Sequence, residues 1–187
     1  LPGEYLWIDN KEFFFKKYYK WQPWKVYNSS FNSKKNLLKI NEKIIEKLIK
    51  SVNNRQIVIP LSGGWDSRFI LSGLKHFGYN KVICVSYGRS KSTDILIAKK
   101  VASKLGYKWI KLEYKKKFIK KLYHSKIYRN YKDFCDNLNS IHFISEFFMI
   151  YELNKKRLID KNAIFINGQS GDFISGNHIP DSINNNT

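Results

Sequence analysis

Residues 57–71 read IVIPLSGGWDSRFIL. A short apolar run rich in β-branched residues stops at Ser62-Gly63-Gly64, an acid and a second serine follow at Asp66 and Ser67, and a new apolar-periodic segment begins at once. A buried strand that passes through a six-residue loop into a helix accounts for that order. Gly63 and Gly64 permit positive φ and close backbone approach, so successive N–H groups can line one concavity, and the following helix adds its own unpaired N–H groups and positive dipole end. Such a loop is shaped for phosphate. The hydroxyls of Ser62 and Ser67 add donors without charge, and Asp66 is tolerable beside phosphate if it holds a magnesium ion that bridges to the phosphate oxygens. The stretch is neither a Walker loop ending in GK[ST] nor a GxGxxG fingerprint.

Outward from this loop the chain alternates. Leu37, Leu38, Ile44, Ile45, Leu48, Ile49 and Val52 recur at helical spacing upstream, with Ser33 placed to cap. Downstream, residues 66–77 read as a helix ended by Gly78, KVICVSY (81–87) as a second buried strand, and Ser92 or Thr93 as the cap of a helix carrying Ile95, Ala98, Val101, Ala102 and Leu105 and closed by Gly106. KWIKLEY (108–114) is a third strand, 116–130 and 139–157 are helices, and AIFIN (163–167) is a fourth strand. Short apolar strands alternating with helices predict a doubly wound parallel α/β sheet, Rossmann-like, with helices on both faces. Residues 1–33, aromatic-rich between Pro2-Gly3 and Asn28-Ser29-Ser30, read as a hairpin or linker, leaving 34–187 as the main domain.

At 187 residues and 43% hydrophobic the chain can bury one good-sized core. No apolar run approaches the roughly 20 residues of a membrane span, so no membrane partner is expected. Cys84 and Cys135 lie far apart and form no CxxC or disulfide framework, which suits a reducing, cytoplasmic setting. The formal charge of +19 raises nucleic acid as a partner. The excess is mostly Lys, in a chain also rich in Asn, Ile, Tyr and Phe, and an A/T-rich coding bias explains much of it, so nucleic acid is the weaker reading. Lys115-Lys116-Lys117 reads as a solvated helix face, and His76, His124, His142 and His178 lack metal-ligand spacing.

With the loop and its context in view, S-G-G-x-D-S after a strand resembles the signature of the N-type (PP-loop) ATP pyrophosphatases, which split ATP between its α and β phosphates. The resemblance implies an adenine nucleotide alpha hydrolase-like fold, ATP and Mg²⁺ as ligands, a pyrophosphate cradle at Ser62, Gly63, Gly64 and Ser67, and Mg²⁺ on Asp66. SYGRSKSTDILIAKKVASKLGYKWIKL (86–112) is similar to the asparagine synthetase branch, where the strand end, here Ser86 and Tyr87, contacts adenosine. FINGQSGDFISGN (165–177) is similar to that branch's S-G-E-G-x-D-E-x-F-G-G, which gives Gly168 close approach to the nucleotide and Asp172 a second Mg²⁺-ligand role. Gln169 and Phe173 stand where the family has Glu, so the metal shell is poorer in charge and the acceptor is left open.

LPGEYL (1–6) looks like the segment that closes the family's glutaminase domain, and with a first residue of Leu rather than Met it suggests a fragment of a longer polypeptide. The resemblance thus implies a small-molecule carboxylate acceptor, aspartate or a sugar carboxylate, and ammonia supplied by a glutaminase domain. The alternatives are a tRNA-modifying relative, favoured by charge and opposed by the absence of CxxC pairs, and a degenerate nucleotide-binding module. Arg68 heads the helix and can pair with phosphate or substrate or form a salt bridge; Trp65 reads as a hydrophobic lid on the loop.

Overall fold

The structure is a computed structural model of the chain and describes residues 3–9, 12–20, 33–88, 92–135 and 144–169, with Ser33 as backbone only. The chain divides into two compact units, residues 1–40 and 41–187. In the first, β1 (Glu4–Ile8) and β2 (Phe13–Lys17) pair antiparallel, with Trp7 opposite Phe14 and Glu4 opposite Lys17. Trp7 and Phe14 stack at 6.2 Å and Lys17 meets Glu4 at 3.2 Å. Both faces of this ribbon are apolar and exposed, because two strands cannot enclose a core of their own.

The second unit is a four-stranded, all-parallel sheet in the order β5-β4-β3-β6, formed by β3 (Ile57–Pro60), β4 (Val82–Gly88), β5 (Lys108–Glu113) and β6 (Ile164–Phe165). The doubly wound α/β architecture follows from the alternation of residues along β3. Ile57 and Ile59 face one way, where they join Ile45 and Val52 of α1 (Ser33–Val52), Leu71 and Leu74 of α2 (Trp65–His76) and Ala98 and Ala102 of α3 (Thr93–Leu105). Val58 faces the other way, with Ile83, Val85 and Leu112, onto Met149 and Leu153 of α6 (Ile144–Lys155). Small residues on α3 let it approach the sheet closely, while the bulky pair on α6 fills the opposite layer.

One expectation needs correction. The helix read over 116–130 is two helices, α4 (Lys116–Tyr123) and α5 (Lys126–Cys135). Ser125 parts them: its Oγ donates to the Leu122 carbonyl at 2.6 Å and accepts the Tyr128 N–H at 3.2 Å, a capping arrangement that helical periodicity does not reveal. The helix read from 139 is described from Ile144, residues 136–143 lying outside the described residues. On α1, Ile45 and Val52 are buried, but Leu37, Leu38 and Ile44 are more than half exposed, so the apolar stripe is only partly covered.

Chain path decides where the sheet can bind. From β3 the chain moves outward through α2 to β4 and through α3 to β5, then returns across α4, α5 and α6 to lay β6 on the other side of β3. Strand order therefore reverses between β3 and β6. In open parallel sheets a crevice forms at such a switch point, beyond the carboxyl ends of the strands.

Candidate functional site at the sheet switch point

The loop Ser62–Gly64 leaves β3 at this crevice. Leu61 N–H still reaches the Val85 carbonyl at 2.8 Å, and α2 begins at Trp65. The loop is braced by its own serines: Ser67 Oγ accepts the Ser62 N–H at 3.4 Å and Ser62 Oγ accepts the Gly64 N–H at 3.1 Å. Each serine accepts a backbone hydrogen, so its own O–H hydrogen is left to donate to a ligand. Gly64, the N-cap residue, has φ −73° and makes no side-chain cap, so the first-turn N–H groups of α2 keep the anion-binding character of a helix start.

Neither loop glycine uses positive φ; the glycines that do, among the described residues, are Gly3, Gly78, Gly88 and Gly106. Crowding is the reason at Gly63: a Cβ there would lie 2.5 Å from Asp94 Oδ1 and 3.2 Å from Asp94 Cα. Gly168, after β6, is tighter still, since a Cβ would lie 2.6 Å from the Ser67 amide nitrogen and 2.7 Å from Asp66 Cβ. The first turn of α2 thus requires glycine at 168, which also lines the cavity where the sequence reading places the nucleotide.

These elements surround a cavity of about 460 Å³, within the size range of small-ligand sites. Ser62, Gly64, Asp66, Ser67, Ser86, Tyr87 and Gly168 all line it, so seven of the eight sequence-predicted nucleotide-site residues converge; the eighth, Gly63, sits behind them against Asp94. Asp172 lies outside the described residues. Ser86 is buried and its hydroxyl is already engaged, donating to the Leu61 carbonyl at 2.8 Å and accepting Trp109 Nε1–H at 3.0 Å. Tyr87 stacks on Tyr114 with ring centres 5.5 Å apart. Burial raises the Tyr87 phenol above its ordinary value, the nearby Glu146 carboxylate adds to this and a hydrogen bond with Ser145 opposes it, so Tyr87 is a neutral phenol at physiological pH.

Sequence reasoning missed Asp94, Glu146 and Asn167, which also line the cavity. Asp94 had a signal, an acid opening a helix. Glu146 had none, because α6 reaches the site only through the returning chain. Asn167 Nδ2 contacts Glu146 Oε1 at 3.5 Å and Gln169 Oε1 at 3.4 Å, tying the end of β6 to α6. Three carboxylates, Asp66, Asp94 and Glu146, thus face the cavity, and no Lys, Arg or His is among its described lining residues.

Trp65 and Arg68 stand on the opposite side of the loop, away from the cavity. Trp65 is 80% exposed, so it does not close over the site as a lid.

The residues fit a nucleotide phosphate accompanied by its cation. Gly63 and Gly168 keep the loop free of side chains that would displace it, the helix start offers N–H donors, and Asp66 presents a carboxylate beside them. Magnesium is usually held by one or two carboxylates together with phosphate oxygens and water, and Asp66 can supply one.

A parallel doubly wound sheet with this loop at its switch point defines the fold: it is α/β and adenine nucleotide alpha hydrolase-like. The chain is similar to the NH3-dependent NAD synthetase of Campylobacter jejuni subsp. jejuni NCTC 11168, in complex with the nitrate ion, at TM-score 0.50 and 17% identity, covering 74% of this chain. It spans 59% of that synthetase's length. A looser match, TM-score 0.30 and 18% identity over 60% of this chain and 68% of the other, is a predicted subunit of a tRNA methyltransferase from Methanocaldococcus jannaschii DSM. No protein-family model and no curated protein sequence matches the chain. No described helix is long and apolar enough to cross a membrane.

Proposed function

We propose that the chain binds Mg-ATP in the switch-point cavity and forms part of an asparagine synthetase-type amidotransferase, one that activates a carboxylate as its adenylate with release of pyrophosphate before amidation. The observation that carries this reading is the SGGWDS loop standing between β3 and α2 with Asp66 turned into the cavity beside Ser62 and Ser67. The loop amides and serine hydroxyls would hold the β and γ phosphates, placing donors where negative charge grows as the α–β bond breaks. Tyr87, Ser86 and the β6 end at Asn167–Gly168 form the remaining cavity wall, where the adenosine would lie. Asp66 would hold the magnesium ion, with Asp172, which lies outside the described residues, as the second ligand implied by the sequence resemblance, and the ion would neutralise charge at the departing pyrophosphate.

The acceptor is a small carboxylate, aspartate or a sugar acid, and ammonia arrives from a glutaminase domain. An ammonia-dependent synthetase among the structural neighbours supports the ligase reading, and the charge of +19 favours a tRNA-directed relative as the second reading. ATP/pyrophosphate exchange separates them. Exchange stimulated by aspartate or a uronic acid supports the amidotransferase, and exchange stimulated by tRNA supports the second reading. ATP binding without exchange under either stimulus supports a degenerate nucleotide-binding module, and failure to bind ATP with magnesium sinks all three.

A further inference from the structure

Arg68 has no place in the cavity, yet it is the most heavily engaged side chain of the loop. Its Nε–H donates to the Gly64 carbonyl at 2.8 Å and its Nη2–H to the Gly63 carbonyl at 3.0 Å. Its guanidinium carbon also stands 4.2 Å from the centre of the Trp65 ring. One planar cation thus holds two consecutive carbonyls and an aromatic face on the side of the loop remote from the cavity.

Peptide planarity gives this arrangement a consequence. In a trans peptide the N–H points opposite to the C=O, so fixing the Gly63 and Gly64 carbonyls also fixes the N–H groups of Gly64 and Trp65 in the opposite sense. Gly64 lines the cavity while Trp65 and Arg68 line a separate groove along α2 and α3 with Phe69 and Leu105, so the loop divides the two. Ser62 Oγ already accepts the Gly64 N–H at 3.1 Å, so Arg68 adds a second restraint to that peptide and another to the Gly64–Trp65 peptide; a flip of either would present a carbonyl oxygen to the cavity and repel an anion.

We infer that Arg68 is a positioning residue for anion binding: from behind the loop it holds the Gly63 and Gly64 carbonyls away from the cavity, and Trp65 holds Arg68 in place. The donors are suited to this task because a guanidinium offers a planar fork to two acceptors, which the ammonium of lysine does not. This inference rests on the reading of the cavity as a pyrophosphate site, and it differs from pairing Arg68 directly with phosphate, since both of its carbonyl-bound nitrogens face away from that site.

The test uses the full chain and three ligands, Mg-ATP, Mg-pyrophosphate and adenosine, measured by calorimetry for the wild type and for Arg68→Ala, Arg68→Lys and Trp65→Ala. Arg68→Ala should weaken pyrophosphate and ATP about 10- to 100-fold, the range for losing charge-assisted bonds, while adenosine affinity stays at the wild-type value. Lysine should rescue poorly, and millimolar guanidinium should restore Arg68→Ala in part. Trp65→Ala should weaken pyrophosphate only about 2- to 5-fold. Amide hydrogen exchange gives a ligand-free readout: Arg68→Ala should accelerate exchange in residues 62–66 and leave β4 and β5 protected. Wild-type pyrophosphate affinity in Arg68→Ala, or unchanged loop exchange, overturns the inference. A wild type that binds neither ATP nor pyrophosphate overturns the functional reading instead, and the exchange measurement still decides the role of Arg68.

Discussion

Gly168 lies so close to the first turn of α2 that a methyl group on it would come within 2.6 Å of the Ser67 amide nitrogen. Two chain segments remote in sequence, the end of β6 and the start of α2, are thereby locked at the sheet's switch point. Gly168→Ala must push them apart, because the obstructing atoms are two backbone atoms and the Asp66 Cβ, none of which can rotate away. Urea denaturation should show a loss of about 1–3 kcal/mol, the usual cost of overpacking. Gly78→Ala is the contrasting control: it has φ +70° but nothing within 4 Å of a Cβ, so it should cost about 1 kcal/mol from backbone strain and leave nucleotide binding intact.

Asp66 predicts a crossover rather than a simple loss. A carboxylate beside phosphate repels it when no cation intervenes and attracts it through one when magnesium is present. Asp66→Asn should therefore bind ATP more tightly than wild type in EDTA and about tenfold or more weakly in millimolar magnesium. Calorimetric titrations in the two buffers read the effect, and a shift of the same sign in both would remove Asp66 from the metal role.

The Ser86 hydroxyl predicts a structural penalty. It bridges the Leu61 carbonyl on the β3 side and the Trp109 indole on β5, and Ser86→Ala leaves both without that partner. Thermal denaturation should register about 1–3 kcal/mol of destabilisation, the cost of stranding buried polar groups. Any change in nucleotide affinity should be smaller than that caused by Asp66→Asn, since the hydroxyl is already committed within the sheet.

Alkaline pH should unfold the second unit through buried acids. Burial raises the Cys84 thiol from its ordinary 9.0 to about 12, and burial with the neighbouring Cys84 raises Tyr107 from 10.0 to about 12. Each group ionises more readily in the unfolded chain, so the stabilisation is complete below the unfolded value and is lost as pH climbs from about 9 towards 12. The slope is at most about 1.4 kcal/mol per pH unit for each group. Denaturation midpoints between pH 8 and 11 test this, and Cys84→Ala should flatten the fall. At pH 8 a maleimide should label the half-buried Cys135 and spare Cys84 until the chain unfolds.

Much of the architecture is local information. The β-branched run at 57–59, the caps and closing glycines of α2 and α3 and the apolar faces of their helices are each set within a dozen residues. The break at Ser125 escaped because a serine inside a periodic segment reads equally well as a tolerated helix residue; only its bonds to Leu122 and Tyr128 reveal a boundary. The exposed Leu37 and Leu38 escaped for the opposite reason, since periodicity states which residues share a face but not whether anything covers it.

At the site the division is sharper. The amino-acid sequence by itself determined that a strand, a glycine loop, an acid and a helix follow one another at 57–71, because chain connectivity and local propensity settle such a unit. Only tertiary structure decided that β6 returns beside β3, for strand order depends on contacts between distant segments. That return brings Gly168 onto Ser67 and carries Glu146 and Asn167 to the cavity wall, while the packing of α3, which sets Asp94 against Gly63, makes neighbour crowding, rather than positive φ, the reason for that glycine. The Arg68 bonds, by contrast, are local, to the Gly64 and Gly63 carbonyls four and five residues before it.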